Sequence, residues 1–245
     1  MLKKVSVVLI VIFISQVAFG ASSLYLLKKK RLAIVIDDMG YDVELAREFE
    51  ELNLPLAFSF LPDAPFSGEL SREFAKNGYV VMIHMPSQPL NYPKNNPGRN
   101  AIYLWTSKKK TFELLERALN KIPDAIGLNN HEGSAILKDK KHIDWILEFL
   151  KKHKMFFVDS YTVKDSLGCI EAKRLGVLCQ RRRVFLDNIA DVRYIEGQIR
   201  KAIEMLKRRD IVLAIGHCRP KTLIALKRMK QELKPYLVNV VFVLR

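Results

Sequence analysis

Three of the five histidines, His84, His131 and His217, each stand within three residues of the end of a short apolar run, and so do the adjacent aspartates Asp37 and Asp38. Asn129 and Asn130 (ahead of His131), Asp159 with Ser160, and Asp187 with Asn188 hold the same kind of position. Neutral imidazole together with carboxylate is the usual ligand set for zinc and related divalent ions. Asp38, His84 and His131 would supply three ligands and leave a fourth position for water, the arrangement of a catalytic rather than a closed structural site. A divalent metal held there, with zinc the expected ion, lowers the pKa of its water towards neutrality. Asp37 is placed to take the proton as base, and His217 to give one to a leaving group. These parts fit hydrolysis of an amide or an ester. The other histidines, His142 and His153, fall within or at the end of a lysine-rich helix and are expected to be solvated.

Side chains so far apart in sequence need a scaffold that gathers them. Strands are expected over 32–36, 56–61, 79–83, 125–128, 155–158, 184–186, 211–215 and 238–244, where short runs are apolar, β-branched or aromatic. Helical periodicity is expected over 43–53, 69–77, 111–121, 140–152, 191–208 and 222–233. Asp42 and Ser67 read as N-caps, and Asn77-Gly78 as a helix stop. Strand alternating with helix gives a single α/β domain with a mainly parallel sheet. With about eight strands, a closed or nearly closed barrel is expected in preference to an open sheet. Parallel strands all end on one face, so the polar strand ends converge there, where such folds hold their chemistry. The stretch 86–105 carries Pro86, Pro89, Pro93, Pro97 and Gly98 and reads as a lid or substrate wall, with Tyr92, Tyr103 and Trp105 available to stack on a sugar ring.

Composition narrows the rest. Of 245 residues, 49% are hydrophobic and 27% charged, which is a globular and not a disordered balance. Three cysteines with no C-x-x-C pair exclude a disulfide scaffold, a zinc ribbon and a thioredoxin-like centre. Neither a phosphate loop nor a dinucleotide fingerprint occurs. Lys3 and Lys4 precede 23 uncharged residues, Val5 to Leu27, and then Lys28, Lys29, Lys30 and Arg31. As a helix that stretch would measure roughly 34 Å, enough to cross a hydrocarbon core of about 30 Å. Residues 1–31 therefore read as a cleaved signal peptide or a retained membrane anchor ahead of a domain over 32–245. Export follows, to the periplasm or to the outer face of the inner membrane. The segment takes six of the 41 basic residues and no acidic one, leaving the remainder nine basic residues in excess. That surplus is spread out and lacks interleaved aromatics, so nucleic acid is not an expected partner.

Taken together, Ile36-Asp37-Asp38-Met39-Gly40-Tyr41, Met82-Ile83-His84-Met85-Pro86, Asn129-Asn130-His131-Glu132-Gly133-Ser134, Phe157-Val158-Asp159-Ser160, Phe185-Leu186-Asp187-Asn188 and Ala214-Ile215-Gly216-His217 resemble the divergent polysaccharide deacetylase family. That family is a distant branch of the NodB-like carbohydrate esterases. The resemblance covers nearly the whole globular region and implies an irregular (β/α) barrel in an exported envelope protein. It implies a metal-dependent hydrolase that removes acetyl groups from N-acetylated amino sugars of an envelope polysaccharide. Asp37 would be the base, Asp38 and His84 metal ligands, and His217 the acid. Asn130, Asp159, Ser160 and Asp187 would orient these groups or touch substrate. Typical members place a second metal histidine four residues after the first, where this chain has Gln88, and His131 is its expected substitute. That departure keeps a second reading in view: a catalytically weak or inactive envelope protein that uses the same cleft to bind glycan or a cell-wall partner.

Overall fold

The computed structural model describes residues 30–245. The expected leader therefore lies outside the described residues as far as residue 29, whereas Arg31 already opens the first strand. Among the described residues no helix is long and apolar enough to cross a membrane.

The strands are β1 (Arg31–Met39), β2 (Ala57–Phe60), β3 (Val80–Ser87), β4 (Gly127–Glu132), β5 (Phe156–Asp159), β6 (Cys179–Arg181), β7 (Val184–Phe185) and β8 (Ile211–His217). The helices are α1 (Val43–Glu51), α2 (Ser67–Lys76), α3 (Lys108–Lys121), α4 (Lys140–Lys152), α5 (Gly168–Leu175), α6 (Val192–Met205) and α7 (Pro220–Leu233). All ladders are parallel, in the order β6-β5-β4-β3-β2-β1-β8-β7. The two edge strands are consecutive in sequence and joined only by Arg182 and Arg183. The Arg182 N–H donates to Asp159 O of β5 and the Arg183 N–H to Leu213 O of β8. The sheet therefore curls until its edges meet, giving the irregular (β/α) barrel with a seam that peptide chain crosses.

Alternation along the strands divides the core in two. Leu32, Ile34 and Ile36 of β1, with Phe58, Val81, Ile83, Leu128 and Phe157, face the helices. Ala33 and Val35, with Ala57, Val80, Met82, Val158, Leu213 and Ile215, fill the barrel. Gly127 leaves room inside for the Phe156 ring, which an added Cβ would meet at 2.3 Å. The run 238–244, expected as a strand, is instead capped by a 3-10 turn (Val240–Val243) whose Val240 and Val243 stopper the barrel floor. Spacing of three suits a single turn with both valines on one side. The missing strand is β6, paired at its outer edge by Arg245, which exchanges two backbone hydrogen bonds with Cys179.

Local signals behave as side-chain chemistry dictates. Asp42 caps α1 by accepting from Leu45 N at 2.9 Å, and Gly78 (φ +86°) ends α2. Ser67 is not a cap: it lies inside α2 and its hydroxyl donates to Leu61 O at 2.6 Å. Nor is His142 solvated. It is buried, its Nδ1 2.6 Å from Asp139 Oδ1 and its Nε2 3.0 Å from Thr106 O, so it ties α4 to the loop before α3.

Cys169 of α5 and Cys179 of β6 form a disulfide closing a short loop. Cross-linking a loop of this size restricts the unfolded chain by about 2.5 kcal/mol. Cys169→Ser combined with Cys179→Ser should lower Tm by about 5–10 °C in a thermal melt, and an unchanged Tm would mean the bond does not form.

Candidate active site

The inward parity that fills the barrel with aliphatic residues also sets what stands at its mouth. One step beyond Val35, Ala57, Met82, Gly127, Val158 and Ile215 come Asp37, Ser59, His84, Asn129, Ser160 and His217. Strict alternation would send Asp38 the other way. The ladder between β1 and β2 is interrupted there: Ile36 pairs Phe58 and Met39 pairs Phe60, so Asp37 and Asp38 together face Ser59. Asp38 takes φ +58°, and this β-bulge turns both carboxylates into the mouth. Gly40 (φ +111°) follows, where a Cβ would meet Ser67 Oγ at 2.0 Å, so no other residue fits the exit from the bulge.

Asp38, His84 and His131 come together. Asp38 Oδ1 lies 3.3 Å from His84 Nε2 and 3.1 Å from His131 Nδ1, and the two nitrogens are 3.1 Å apart. Donors bound tetrahedrally at about 2.0–2.1 Å stand about 3.3 Å from one another, so all three edges of this triangle have the length that a shared zinc-like ion requires. Asp38 Oδ1 is buried and accepts no hydrogen bond, an orphan that an ion would satisfy. The donor set therefore fits a divalent metal. Gln88 takes no part; its side-chain oxygen accepts from Leu104 N at 2.9 Å and braces the following loop.

Asn129 links the triangle to Asp37. Its Oδ1 stands 2.9 Å from His84 Nδ1 and accepts from Ser59 Oγ at 2.5 Å, while its Nδ2 donates to both Asp37 oxygens at 2.8 and 3.0 Å. With Asn129 Oδ1 as acceptor, the neutral His84 that a metal requires keeps its proton on Nδ1 and offers Nε2 to the triangle. On the other flank, His217 Nδ1 is 2.8 Å from Asp187 Oδ1, and Asp187 Oδ2 accepts from His217 N and Thr222 Oγ1, each at 2.7 Å. His217 Nε2 is thereby aimed at the mouth, 3.8 Å from Asp38 Oδ2.

The charges reinforce one another. Burial would raise Asp38, but the imidazoles of His131 and His84 hold it well below the usual carboxylate range. Burial would lower His84, yet Asp37 and Asp38 beside it push it up to about 9. Asp37 itself is raised, burial outweighing the pull of His84 and His217. Asp187 is lowered: its bonds from His217 and Thr222 outweigh the penalty of burial.

A cavity of about 360 Å³ opens over these groups, walled by Ser160, Phe185 and Ile215. Asn130 reaches it too, accepting from Ser160 N at 3.1 Å and donating to Glu132 O at 2.6 Å. Asp159 does not. On β5 it has the opposite parity to Ser160, and its carboxylate accepts from Tyr161 N and Ser166 Oγ, each at 2.8 Å, anchoring the turn before α5 rather than substrate. Three residues at the site were given no role by the sequence reading. Asn129, fully buried beneath the cavity, was passed over for its neighbour, although its place two residues before His131 fixes its inward parity. Glu132 (φ +52°) brings a carboxyl raised by burial, with Oε2 unpartnered. Arg182 arrives from the seam and donates to Ser160 O and Tyr161 O, a position no local pattern announces.

Known proteins resemble this chain at several levels. It is 32% identical to the uncharacterized protein YibQ of Escherichia coli (strain K12) over 207 residues, which cover 84% of the chain but 64% of that protein. An uncharacterized Agrobacterium tumefaciens protein, ATU2773, superposes with a TM-score of 0.80 at 18% identity over 86% of each chain. The catalytic domain of a peptidoglycan N-acetylglucosamine deacetylase from Eubacterium rectale does so with 0.54 at 15% identity, over 86% of this chain and 88% of that one. A family 4 carbohydrate esterase pseudoenzyme from Bacillus anthracis shares the fold at 0.57 and 12% identity, over 88% of this chain and 66% of that one. A sequence profile for divergent polysaccharide deacetylases matches residues 34–245, nearly all of the barrel, and the chain belongs to that family.

Proposed function

We propose that the protein is an exported, metal-dependent hydrolase that removes acetyl groups from N-acetylated amino sugars of an envelope polysaccharide. One observation carries the reading: the Asp38–His84–His131 triangle is flanked on one side by a buried carboxylate and on the other by a histidine backed by its own aspartate. A divalent ion, zinc as the expected species, would be held by Asp38, His84 and His131 and would supply Lewis acidity to the acetyl carbonyl and to water.

The chain's own groups do the rest. Asp37, fixed by the Asn129 amide, takes a proton from the attacking water as its oxygen bonds to the carbonyl carbon. His217, with Nδ1–H held on Asp187, delivers a proton from Nε2 to the sugar nitrogen as the carbon–nitrogen bond breaks. Acetate and a free amine result. Asp187 holds the ring so that Nε2 faces the mouth. The products are balanced by one water consumed.

Beside the cavity, the loop after β3 carries Tyr103 and Trp105 stacked at 4.4 Å with Tyr92 against both. It is fastened to the strand ends by the Ser87–Ile102 bridge and by the bond from Leu90 N to Ser134 Oγ. Trp105 is 63% exposed, a platform suited to the apolar face of a neighbouring sugar. Trp105→Ala should raise KM for an oligosaccharide about three- to tenfold and leave kcat unchanged; an equal effect on a single acetylated sugar would assign the ring a structural role instead. The Cys169–Cys179 disulfide supports export, because such bonds persist in oxidising compartments.

The test is acetate release from N-acetylglucosamine oligomers and peptidoglycan by protein of known metal content. Turnover that chelation abolishes and zinc restores is expected. Tight glycan binding with no acetate released from metal-loaded protein would favour the second reading, a non-catalytic envelope protein, for which the Bacillus anthracis pseudoenzyme on this fold is a precedent.

A further inference from the structure

The barrel has a second end, and its surface is unusual. Ile126 and Leu178 immediately precede β4 and β6, and Val241 and Phe242 lie on the turn that stoppers the floor. These side chains are 47%, 57%, 38% and 47% exposed. Ile126, Leu178 and Val241 line one depression of about 420 Å³ with Lys151 and Lys154 on its rim. A clustered apolar surface edged with charge marks a contact face.

Two observations identify what covers it. In a parallel barrel every helix ends on this face, and last turns favour cations because they face the negative end of the helix dipole. Lys121, Lys151, Lys152, Lys173 and Arg174 occupy such turns, and 207–209, all basic, lead into β8 here. Helices α3, α4 and α5 thus bring cations to this end, with Lys151 and Lys154 on the rim of the depression, whereas α1 and α6 end without a basic residue. The second observation is covalent. Arg31 opens β1 at this end and donates to Phe242 O, so the first strand begins beside the patch. The sequence before Arg31 is the uncharged run Val5 to Leu27 followed by three lysines.

We propose that the barrel floor seats on an anionic lipid surface, with Phe242, Leu178, Ile126 and Val241 reaching the headgroup boundary and the surrounding Lys and Arg on lipid phosphates. The cavity, at the opposite end of the barrel, then opens away from the membrane towards the polymer. This inference rests on the export part of the reading above, with the N-terminal segment retained, and is independent of the deacetylation chemistry.

The full chain, reconstituted in phosphatidylethanolamine vesicles containing phosphatidylglycerol and lipids brominated near the headgroup, provides the test. Phe242→Trp places an indole on the floor, and Leu90→Trp places one on the cavity-side loop. Bromine should dim the Phe242→Trp variant about twofold beyond the wild type, and the Leu90→Trp variant no more than the wild type. Replacing phosphatidylglycerol by phosphatidylcholine, or raising the salt, should weaken the effect. No added quenching for Phe242→Trp, or equal quenching at both sites, overturns the proposal. So does recovery of the chain free of membranes without its N-terminal segment, and so does self-association that Leu178→Asp abolishes. Acetate release from the same vesicles is read separately: activity without quenching sinks this inference alone, and quenching without activity sinks only the enzymatic reading.

Discussion

Asp37→Asn should lower acetate release about 10²- to 10⁴-fold, the range that a positioned general base contributes. The substitution keeps the shape of the side chain and removes the proton acceptor. Asn129 Nδ2 donates to both Asp37 oxygens, so the variant keeps one acceptor and loses the other. A lost hydrogen bond in a buried site costs about 1–3 kcal/mol, less than the 5–15 kcal/mol by which domains are stable, so the barrel should still fold. Steady-state kcat, alongside circular dichroism to confirm folding, makes the comparison. Activity within about threefold of the parent would remove Asp37 from the role of base.

The second large effect belongs to His84. Losing an outer partner of a metal ligand costs about 10- to 100-fold in affinity, so losing the ligand itself through His84→Ala should cost at least about 100-fold. Asn129→Leu, which frees the His84 tautomer without touching a ligand, should fall in the lower range. Proton competition sharpens the expectation. Without metal, His84 holds its proton up to about pH 9, against an ordinary 6.5. The charged imidazole therefore stabilises the metal-free protein fully below pH 6.5, and that contribution disappears as pH rises through about 9. A metal must displace the proton, so its apparent affinity should rise about tenfold per pH unit between about pH 7 and 9 and then level off. Competition titrations with a zinc chelator at pH 7 and 8.5 measure this. A flat profile would mean that the two aspartates do not raise His84 as described.

Much of this arrangement was legible in the sequence because two simple rules govern it. Strand ends in a parallel barrel share a face, and alternate residues share a side. Those rules bring together Asp37, His84, His131 and His217, and they would equally have marked Asn129, whose inward parity follows from its place two residues before His131. Asp159 faces away from the cavity and Ser160 into it, because parity assigns the two to opposite sides of β5. What stayed hidden depends on events that no short stretch encodes. The run 238–244 is apolar throughout, and only the open barrel floor makes a plug rather than a strand of it. Arg182 reaches the cavity because two distant edges meet there. His142 is polar and follows two lysines, yet Asp139 and the Thr106 carbonyl satisfy both its nitrogens inside the protein.

The extra residue that β1 carries opposite Ser59 separates the polar mouth from the architecture beneath it. Excising Asp38 would restore an even pairing between the first two strands while leaving every aliphatic layer below unchanged. Loss of a single codon would therefore remove one corner of the Asp38–His84–His131 triangle and leave a sound barrel.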